Sequence, residues 1–419
     1  MDVKKIKNCK NKLYYYRTKD FASIYINHYF SLESTNENVV KADLLRYYML
    51  KTNKKYKKRK DIGDKERELY NSTVTTSMLF YGKKIILLFR LKTIDSSVIG
   101  ENIFDDALDF YKEILLNPNF EKGKLNKEIF EQIKNDFINN QKNILRNPEQ
   151  MCRKLFRKSM FLTEPTNIGN FTDIEQYEKI INEVTEQDII EFYNKLISSY
   201  ICSLAFGNLS EDNIKKIENT FKFKLTNFDY IYDYKEKIVD KDIEIISKDT
   251  TQSHIYFVYK VKDYKKDNEH FYRVLLNILN SNNSPVYDTY RNKLGIVYSA
   301  SAGVFFYKDI LYIRADIDKK NKEKAIDALN IIFDRLHDKE EMRKQLKYSK
   351  EKIKEDFDAA PEKILETFNE IQNHVLRLTL SSKEIIERIN KLTVDDIINQ
   401  IDNLEYKCMY FYKGDKDEA

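Results

Sequence analysis

The sequence has no tryptophan and little glycine, proline or cysteine among its 419 residues. Nine glycines and five prolines are too few for a collagen-like or loop-rich chain, so long regular elements are expected. The four cysteines form no CxxC pair, which argues against a disulfide framework or a thiolate zinc site; they are Cys9, Cys152, Cys202 and Cys408. We therefore expect a reduced, cytoplasmic location, with Cys202 and Cys408 simply buried in apolar strands.

Long apolar runs and a strong charge of one sign are also missing. No apolar run approaches the length of a membrane span, and Met1–Lys12 has no apolar core, so neither a transmembrane helix nor a secretory signal is expected. Lys and Arg number 72 against 67 Asp and Glu, and the resulting net charge of +5 argues against a dedicated nucleic-acid binder. The 42% of hydrophobic residues can build real cores, and we expect partners other than nucleic acid or membrane.

Apolar spacing predicts a mixture of strands and helices. Residues 22–32 alternate between apolar and polar positions, as in a half-buried strand, and His28 on that strand is interpreted as a packing residue. The runs 73–81 and 83–92 flank Gly82 and predict a hairpin. Helices are predicted at 102–116, 126–145, 148–161, 186–197, 269–279, 286–293, 322–337, 340–359, 361–378, 383–389 and 394–401.

A repeat relates the two halves of the chain. Residues 185–207 read TEQDIIEFYNKLISSYICSLAFG, and residues 393–414 read TVDDIINQIDNLEYKCMYFYKG. Each copy begins with a threonine suited to cap a helix, continues with an acid in the first turn, and passes into a cysteine-containing strand that ends in glycine. Two copies of one α+β domain explain this pattern, and chance similarity in a biased composition is the alternative.

The residues offer no self-sufficient active site. The histidines His28, His254, His270, His337 and His374 are all more than four residues apart, so no helix turn presents two imidazoles. The motifs HExxH and HxxEH are absent, as are a P-loop, GxGxxG and GxSxG. The chain alone is therefore expected to hold neither a metal nor a catalytic residue.

The segment YDTYRNKLGIVYSAS at 287–301 carries two candidate binding residues. A helix bearing Arg291 is expected to end near Gly295, and the following strand presents Tyr298. Such a corner can aim a guanidinium and a phenol at one carbonyl oxygen, to bind a peptide or to stabilise an oxyanion. An ordinary salt bridge and a half-buried tyrosine are the alternative interpretation.

The segment RNKLGIVYSASAG at 291–303 resembles the R-x-K-x-G-x-x-Y motif in the second domain of the M16 metallopeptidases, the family of insulinase, pitrilysin and mitochondrial processing peptidase. The segments 147–156, 185–197 and 283–291 are similar to further parts of that family. The resemblance implies an α+β fold of two pseudo-symmetric domains, each an antiparallel sheet with helices packed on one face. The expected domains are 1–225, a degenerate zinc-type domain, and 226–419, which carries the Arg/Tyr motif.

The resemblance also implies a zinc site that this sequence lacks. In the family, the two histidines of HxxEH bind zinc and the glutamate activates water. Matching residues 51–56 to the turn after that motif places Asp43, Arg46 and Tyr47 on its first histidine, its glutamate and its second histidine, and Asn140 near the third ligand. A guanidinium at the base position repels zinc and accepts no proton at neutral pH.

Within the family, a chain with the Arg/Tyr pair and without HxxEH resembles the non-catalytic subunit of a heterodimeric, bacterial M16B peptidase. The resemblance implies that an HxxEH-containing subunit supplies zinc, that Arg291 and Tyr298 contact the peptide substrate, and that the pair processes peptides, as in bacteriocin or modified-peptide maturation. Two alternatives stay open at this point: a catalytically inert scaffold, and a homodimer that binds peptides without hydrolysis.

Overall fold

The computed structural model describes residues 6–81, 83–161, 174–226, 237–262, 268–281, 283–305, 309–359, 364–376, 380 and 382–416. The chain forms two compact units. The N-terminal unit comprises residues 2–144 and 171–231, and the C-terminal unit comprises residues 145–170 and 232–419. The domains expected from the sequence, 1–225 and 226–419, differ from these units mainly in the segment 145–170, which belongs to the C-terminal unit.

The strands are β1 (Lys7–Asn8), β2 (Leu13–Arg17), β3 (Ser23–Glu33), β4 (Thr73–Tyr81), β5 (Lys84–Ile94), β6 (Tyr200–Gly207), β7 (Ile243–Ser247), β8 (Ser253–Val261), β9 (Val297–Phe305), β10 (Ile310–Ile317) and β11 (Leu404–Gly414).

The helices of the first half are α1 (Asn36–Lys51), α2 (Arg59–Glu68), α3 (Ser96–Ile99), α4 (Phe104–Leu116), α5 (Lys127–Arg146), α6 (Pro148–Met160), α7 (Ile174–Glu183), α8 (Glu186–Ile197) and α9 (Glu211–Thr220). Those of the second half are α10 (Glu269–Asn280), α11 (Pro285–Tyr287), α12 (Lys322–His337), α13 (Lys339–Ala359), α14 (Ile364–Val375), α15 (Ser382–Lys391) and α16 (Val394–Asp402). A π-helical turn, Asp288–Lys293, follows α11. The ends of the helix predicted at 361–378 lie outside the described residues.

Both units contain a sheet of the same topology. The N-terminal sheet has the order β1-β2-β6-β3-β5-β4, and the C-terminal sheet has the order β7-β11-β8-β10-β9. Leaving β1 aside, the sheets correspond strand by strand, and each has one parallel pair, β2 with β6 and β7 with β11, beside otherwise antiparallel pairs. The predicted α+β fold of two similar domains is confirmed, with this one parallel pair added to each antiparallel sheet.

The repeated sequence segments occupy equivalent places in the two sheets. The first copy forms α8 and β6, and the second forms α16 and β11. Thr185 caps α8 by accepting a hydrogen bond from Asp188 N at 3.1 Å, and Thr393 caps α16 by accepting one from Asp396 N at 3.2 Å. In both helices the aspartate returns a bond to the threonine backbone N–H at 2.8 Å, so each forms a capping box.

The C-terminal sheet is covered on both faces. One face of β8 packs Ile255 and Phe257 into a core shared with α10, α12, α13, α15 and α16. The other face packs Tyr256 and Val258 against α6, where Phe156 stacks on Tyr256 with ring centroids 4.1 Å apart. Because both faces are buried, β8 is apolar at almost every position rather than at alternate ones. We expected helices on one face of each sheet. In this sheet, α6 covers the second face as well.

Among the residues described above, no helix combines the length and apolar character needed to cross a membrane.

Candidate functional site

Arg291 lies on the π-helical turn between α11 and β9. Ser284 caps this segment by accepting a hydrogen bond from Tyr287 N at 2.9 Å, and Pro285 occupies the first helical position. The turn closes with an i to i+5 bond from Leu294 N to Thr289 O at 3.1 Å. Gly295 follows with φ +61°, a left-handed conformation that favours glycine. Single π turns of this kind often occur at functional sites.

The turn is anchored to the C-terminal core. Tyr290 is fully buried and donates its hydroxyl hydrogen to Ala325 O at 2.9 Å. Arg335 donates to Asp288 Oδ2 at 2.8 Å and to Thr289 Oγ1 at 2.9 Å, and it also pairs with Glu341. These contacts fix the backbone directly before Arg291, so its position on the surface is set by the packing of its neighbours.

Arg291 and Tyr298 lie together at the start of β9. Arg291 Nη1 donates to Val297 O, the peptide carbonyl directly before Tyr298, at 2.6 Å. Tyr298 is 66% exposed, and it is the extra residue of a β-bulge, because Val297 pairs with Ile317 while Ser299 pairs with Asp316. Bulges re-aim side chains at the edges of sheets, and β9 is an edge strand. An exposed guanidinium and an exposed phenol are thus available at one corner.

The three residues placed on HxxEH lie together on α1 in the N-terminal unit. Arg46 donates to Asp43 Oδ1 through Nε at 2.7 Å and through Nη2 at 2.6 Å, so two donors share one carboxylate oxygen one helical turn away. Its guanidinium carbon lies 4.5 Å from the ring centroid of Tyr47, which is 40% exposed. Burial raises the pKa of Asp43, and the adjacent Arg46 guanidinium opposes that shift.

Asn140 is exposed on α5. Phe137, also on α5, contacts Tyr47 of this group edge to face, with ring centroids 4.9 Å apart. Gln141, one residue after Asn140, is buried. A one-residue offset turns a helical side chain by about 100°, which decides whether it faces its neighbour or solvent.

Asp43, Arg46 and Tyr47 do not fit a zinc ion. Together they offer one carboxylate, already engaged by a guanidinium, and one phenol, but no imidazole. Zinc requires three or four convergent nitrogen, sulfur or oxygen ligands. Within the described residues, no three His, Cys, Asp or Glu side chains form a group that could hold a metal ion.

Sequence reasoning missed a polar network on the C-terminal sheet. Asp316 accepts hydrogen bonds from Ser299 Oγ at 2.6 Å and from Arg314 Nε at 2.8 Å, and its Oδ1 lies 2.7 Å from His254 Nδ1. Burial opposes ionisation, but the bonds from His254 and Ser299 and the charge of Arg314 outweigh it and lower the pKa of Asp316 to about 2. These residues come from three strands, and no spacing in the sequence signals that they meet.

His28 and the cysteines are packing residues. His28 is buried among aromatic rings, with its ring centroid 4.3 Å from that of Phe221 and Nδ1 2.9 Å from Tyr111 Oη. Burial lowers the pKa of His28 to about 3, so it stays neutral. Cys202 and Cys408 are buried in β6 and β11, which confirms the prediction for both.

Comparison with known proteins shows which fold the chain shares and which family part of it matches. The family described as the peptidase M16 inactive domain matches residues 183–351. The chain is 18% identical over 389 residues to the "Probable inactive metalloprotease YmfF" of Bacillus subtilis, covering 91% of this chain and 90% of that protein. A conserved protein from Enterococcus faecalis superposes with a TM-score of 0.85 at 16% identity, covering 99% of this chain and 100% of that one.

A protease from Helicobacter pylori has the same fold, with a TM-score of 0.74 at 15% identity over 97% of this chain and 98% of its own. The matched segment 183–351 includes Arg291 and Tyr298 and excludes α1. The resemblance inferred from the R-x-K-x-G-x-x-Y segment is confirmed: residues 183–351, which include that segment, match the peptidase M16 inactive domain, and the sequence contains no HxxEH motif.

Proposed function

We propose that this chain is the non-catalytic subunit of a heterodimeric M16B peptidase, whose HxxEH-bearing partner holds the zinc ion. In that pair, Arg291 and Tyr298 contact the carbonyl oxygen of a bound peptide near the bond that is cleaved. Two donors aimed at that oxygen stabilise the negative charge that develops there during hydrolysis. We extend the proposal to peptide processing, including bacteriocin or modified-peptide maturation.

The observation that supports this role most is the contact between Arg291 and Val297 O. The guanidinium already donates to a peptide carbonyl at 2.6 Å, beside an exposed phenol, so the corner has the chemistry needed to bind a second carbonyl. The ion pair between Arg46 and Asp43 supports the division of roles, because it fills the place of the metal-binding motif with a neutralised pair.

The experiment is co-expression with an HxxEH-bearing M16 subunit from the same host, followed by hydrolysis of a quenched fluorescent peptide. Arg291→Ala and Tyr298→Phe should each lower kcat/KM about 100-fold, the usual cost of one oxyanion donor. Arg343→Ala is the matched control, since Arg343 is an exposed arginine on α13 paired with Glu340. Unchanged turnover in the Arg291→Ala complex would contradict the assigned role.

The two alternatives give different results in the same preparation. An inert scaffold would form the complex without any hydrolysis that depends on the partner's HxxEH motif. A peptide-binding homodimer would show a mass of two copies of this chain and would not take up the partner. Either result would overturn the proposed heterodimeric peptidase.

A further inference from the structure

A cavity on the second face of the C-terminal sheet is lined by three arginines. It has a volume of about 380 Å³, in the range of small-ligand sites. We call it the arginine pocket; its lining residues are Arg153, Phe156, Arg157, Tyr256, Ser301, Phe305, Tyr312 and Arg314. Among these described lining residues none is acidic.

The pocket exists because β9 carries small residues where its neighbours carry large ones. Ser301 lies opposite Arg314, and Gly303 lies opposite Tyr312, in the register of β9 with β10. A Cβ at Gly303 would lie 2.4 Å from the Tyr312 ring, so the absence of a side chain lets that ring lie across the strand as a wall. The space above β9 therefore stays open between the rings and α6.

Arg314 forms a fixed part of the pocket floor. It is 9% exposed, and its Nε donates to Asp316 Oδ1 at 2.8 Å. Its Nη1 and Nη2 atoms lie 3.5 and 3.4 Å from Glu149 Oε1, longer than the 2.7–2.9 Å that is usual for charge-assisted bonds. Nη2 also lies 3.2 Å from His254 Nδ1, so Asp316 and His254 orient the guanidinium, and its edge toward Glu149 is where a closer acceptor would bind.

Two further guanidiniums border the pocket from α6. Arg153 and Arg157 lie one helical turn apart and are both exposed, and Arg153 Nη2 donates to Glu149 Oε1 at 2.8 Å. The Arg157 guanidinium carbon lies 5.3 Å from the ring centroid of Phe305, and that of Arg314 lies 5.5 Å from the centroid of Tyr256. Guanidiniums held against aromatic faces present their N–H edges outward, which suits a planar oxyanion with a hydrocarbon group attached.

We propose that the arginine pocket binds a carboxylate of a peptide, either its C-terminal carboxylate or an acidic side chain, with the attached apolar group against the aromatic walls. Arginine matches a carboxylate with two parallel N–H bonds, and four rings offer apolar contact to the rest of the residue. That the carboxylate belongs to a peptide rests on the proposed function, whereas the recognition of a carboxylate rests on the pocket alone.

The test is calorimetric titration of the full chain, without a partner, with short N-acetylated peptides. A peptide ending in Phe with a free carboxylate should bind at least about tenfold more tightly than its C-terminal amide. The same amide with one internal Glu separates the two sources, because tight binding of that peptide assigns the side chain and weak binding assigns the C-terminus. Equal binding of the acid and of an amide without any acidic residue would overturn the proposal.

The test variant is the double substitution R153Q/R157Q. Both positions lie on the exposed surface of α6, so the buried Arg314–Asp316 contact is left intact. The affinity of this variant for the peptide with a free C-terminal carboxylate should fall at least about tenfold, and the affinity of the control variant R343Q should be unchanged. Wild-type affinity in R153Q/R157Q would refute the pocket. Since this binding needs neither partner nor turnover, its failure is distinguishable from failure of the Arg291→Ala test.

Discussion

At the residue scale, Arg46 and Arg291 show how one side chain type serves two purposes. Arg46 donates two hydrogen bonds to Asp43, within its own helix. Arg291 reaches across a corner to Val297 O and stays exposed beside Tyr298. The first arginine forms an ion pair within one helix, and the second contacts a backbone carbonyl at an exposed corner.

The ion pair on α1 predicts a measurable coupling. Arg46→Ala should lower the free energy of unfolding by about 1–3 kcal/mol, because it leaves the largely buried Asp43 carboxylate without its donor. The Asp43→Ala/Arg46→Ala double variant should lose less than the sum of the single variants, in urea unfolding at pH 7. The exposed pair of Arg343 with Glu340 is the control and should show almost no coupling. Additive losses at Asp43 and Arg46 would show that the pair does not stabilise the fold.

The buried carboxylate of Asp316 predicts a pH dependence of stability. Its pKa of about 2 in the folded chain lies below the ordinary value of 3.8, so its stabilisation is present above about pH 4 and is lost as the pH falls toward 2. Asp316→Asn should therefore cost about 2 kcal/mol at pH 7, and its difference from wild type should shrink between pH 4 and pH 2.

The matched control for this prediction is Asp327→Asn, since Asp327 is an exposed acid on α12. Its free energy of unfolding should follow that of the wild type at every pH. A cost of Asp316→Asn that stays constant from pH 7 to pH 2 would contradict the assigned ionisation.

Some contacts of single residues follow from neighbourhood in the sequence, and others do not. Arg291 contacts Val297 O across a short corner of the chain, so local geometry sets this contact. The bonds from Ser299 and His254 to Asp316 join separate strands, and only the sheet register creates them. Asn140 is exposed and Gln141, the next residue, is buried, and the sequence does not fix the phase of a helix to one residue.

At the scale of elements, the repeat of α8–β6 and α16–β11 was visible in the sequence because helix caps are local. Elements with few buried residues were not visible in the sequence. The helix α9 buries only Ile214 and Ile217, among charged and polar neighbours. The helix α2 buries Ile62 among charged neighbours, which leaves too little apolar periodicity to detect.

The two capping boxes should contribute similarly to stability. Thr185→Ala and Thr393→Ala should each lower the free energy of unfolding by about 1 kcal/mol, because each removes the acceptor for an N–H in the first helical turn. Thr185→Ser and Thr393→Ser retain the hydroxyl and should stay near wild type in the same denaturant titration. If the serine variants lose as much as the alanine variants, the caps are not the source of the stability.

The helix α6 should stabilise the C-terminal sheet. Phe156→Ala removes a buried ring stacked on Tyr256 and should cost about 3–5 kcal/mol. Hydrogen–deuterium exchange should then speed up in β8 and β11 and stay unchanged in β3, with Phe156→Leu giving a smaller effect. Equal acceleration in both sheets would contradict the assignment of α6 to the C-terminal unit.

At the scale of the whole molecule, the two units share one sheet topology but carry different side chains at their surfaces. The N-terminal copy carries the Asp43–Arg46 pair on α1, and the C-terminal copy carries Arg291 and Tyr298 at a strand edge. The sequence predicted the duplication because helix caps are local signals, and it predicted the M16 resemblance from one short motif. The sequence did not predict that residues 145–170 belong to the C-terminal unit. The pattern of α6 is that of an ordinary amphipathic helix, and tertiary packing determines which sheet it contacts.

We propose that this chain completes a peptidase whose metal lies in another subunit. The most direct measurement combines zinc analysis with hydrolysis of a quenched peptide for three samples: this chain alone, the HxxEH-bearing partner alone, and the purified pair. We expect zinc in the partner and the pair but not in this chain, with efficient turnover in the pair. Stoichiometric zinc and turnover in this chain alone would contradict the account.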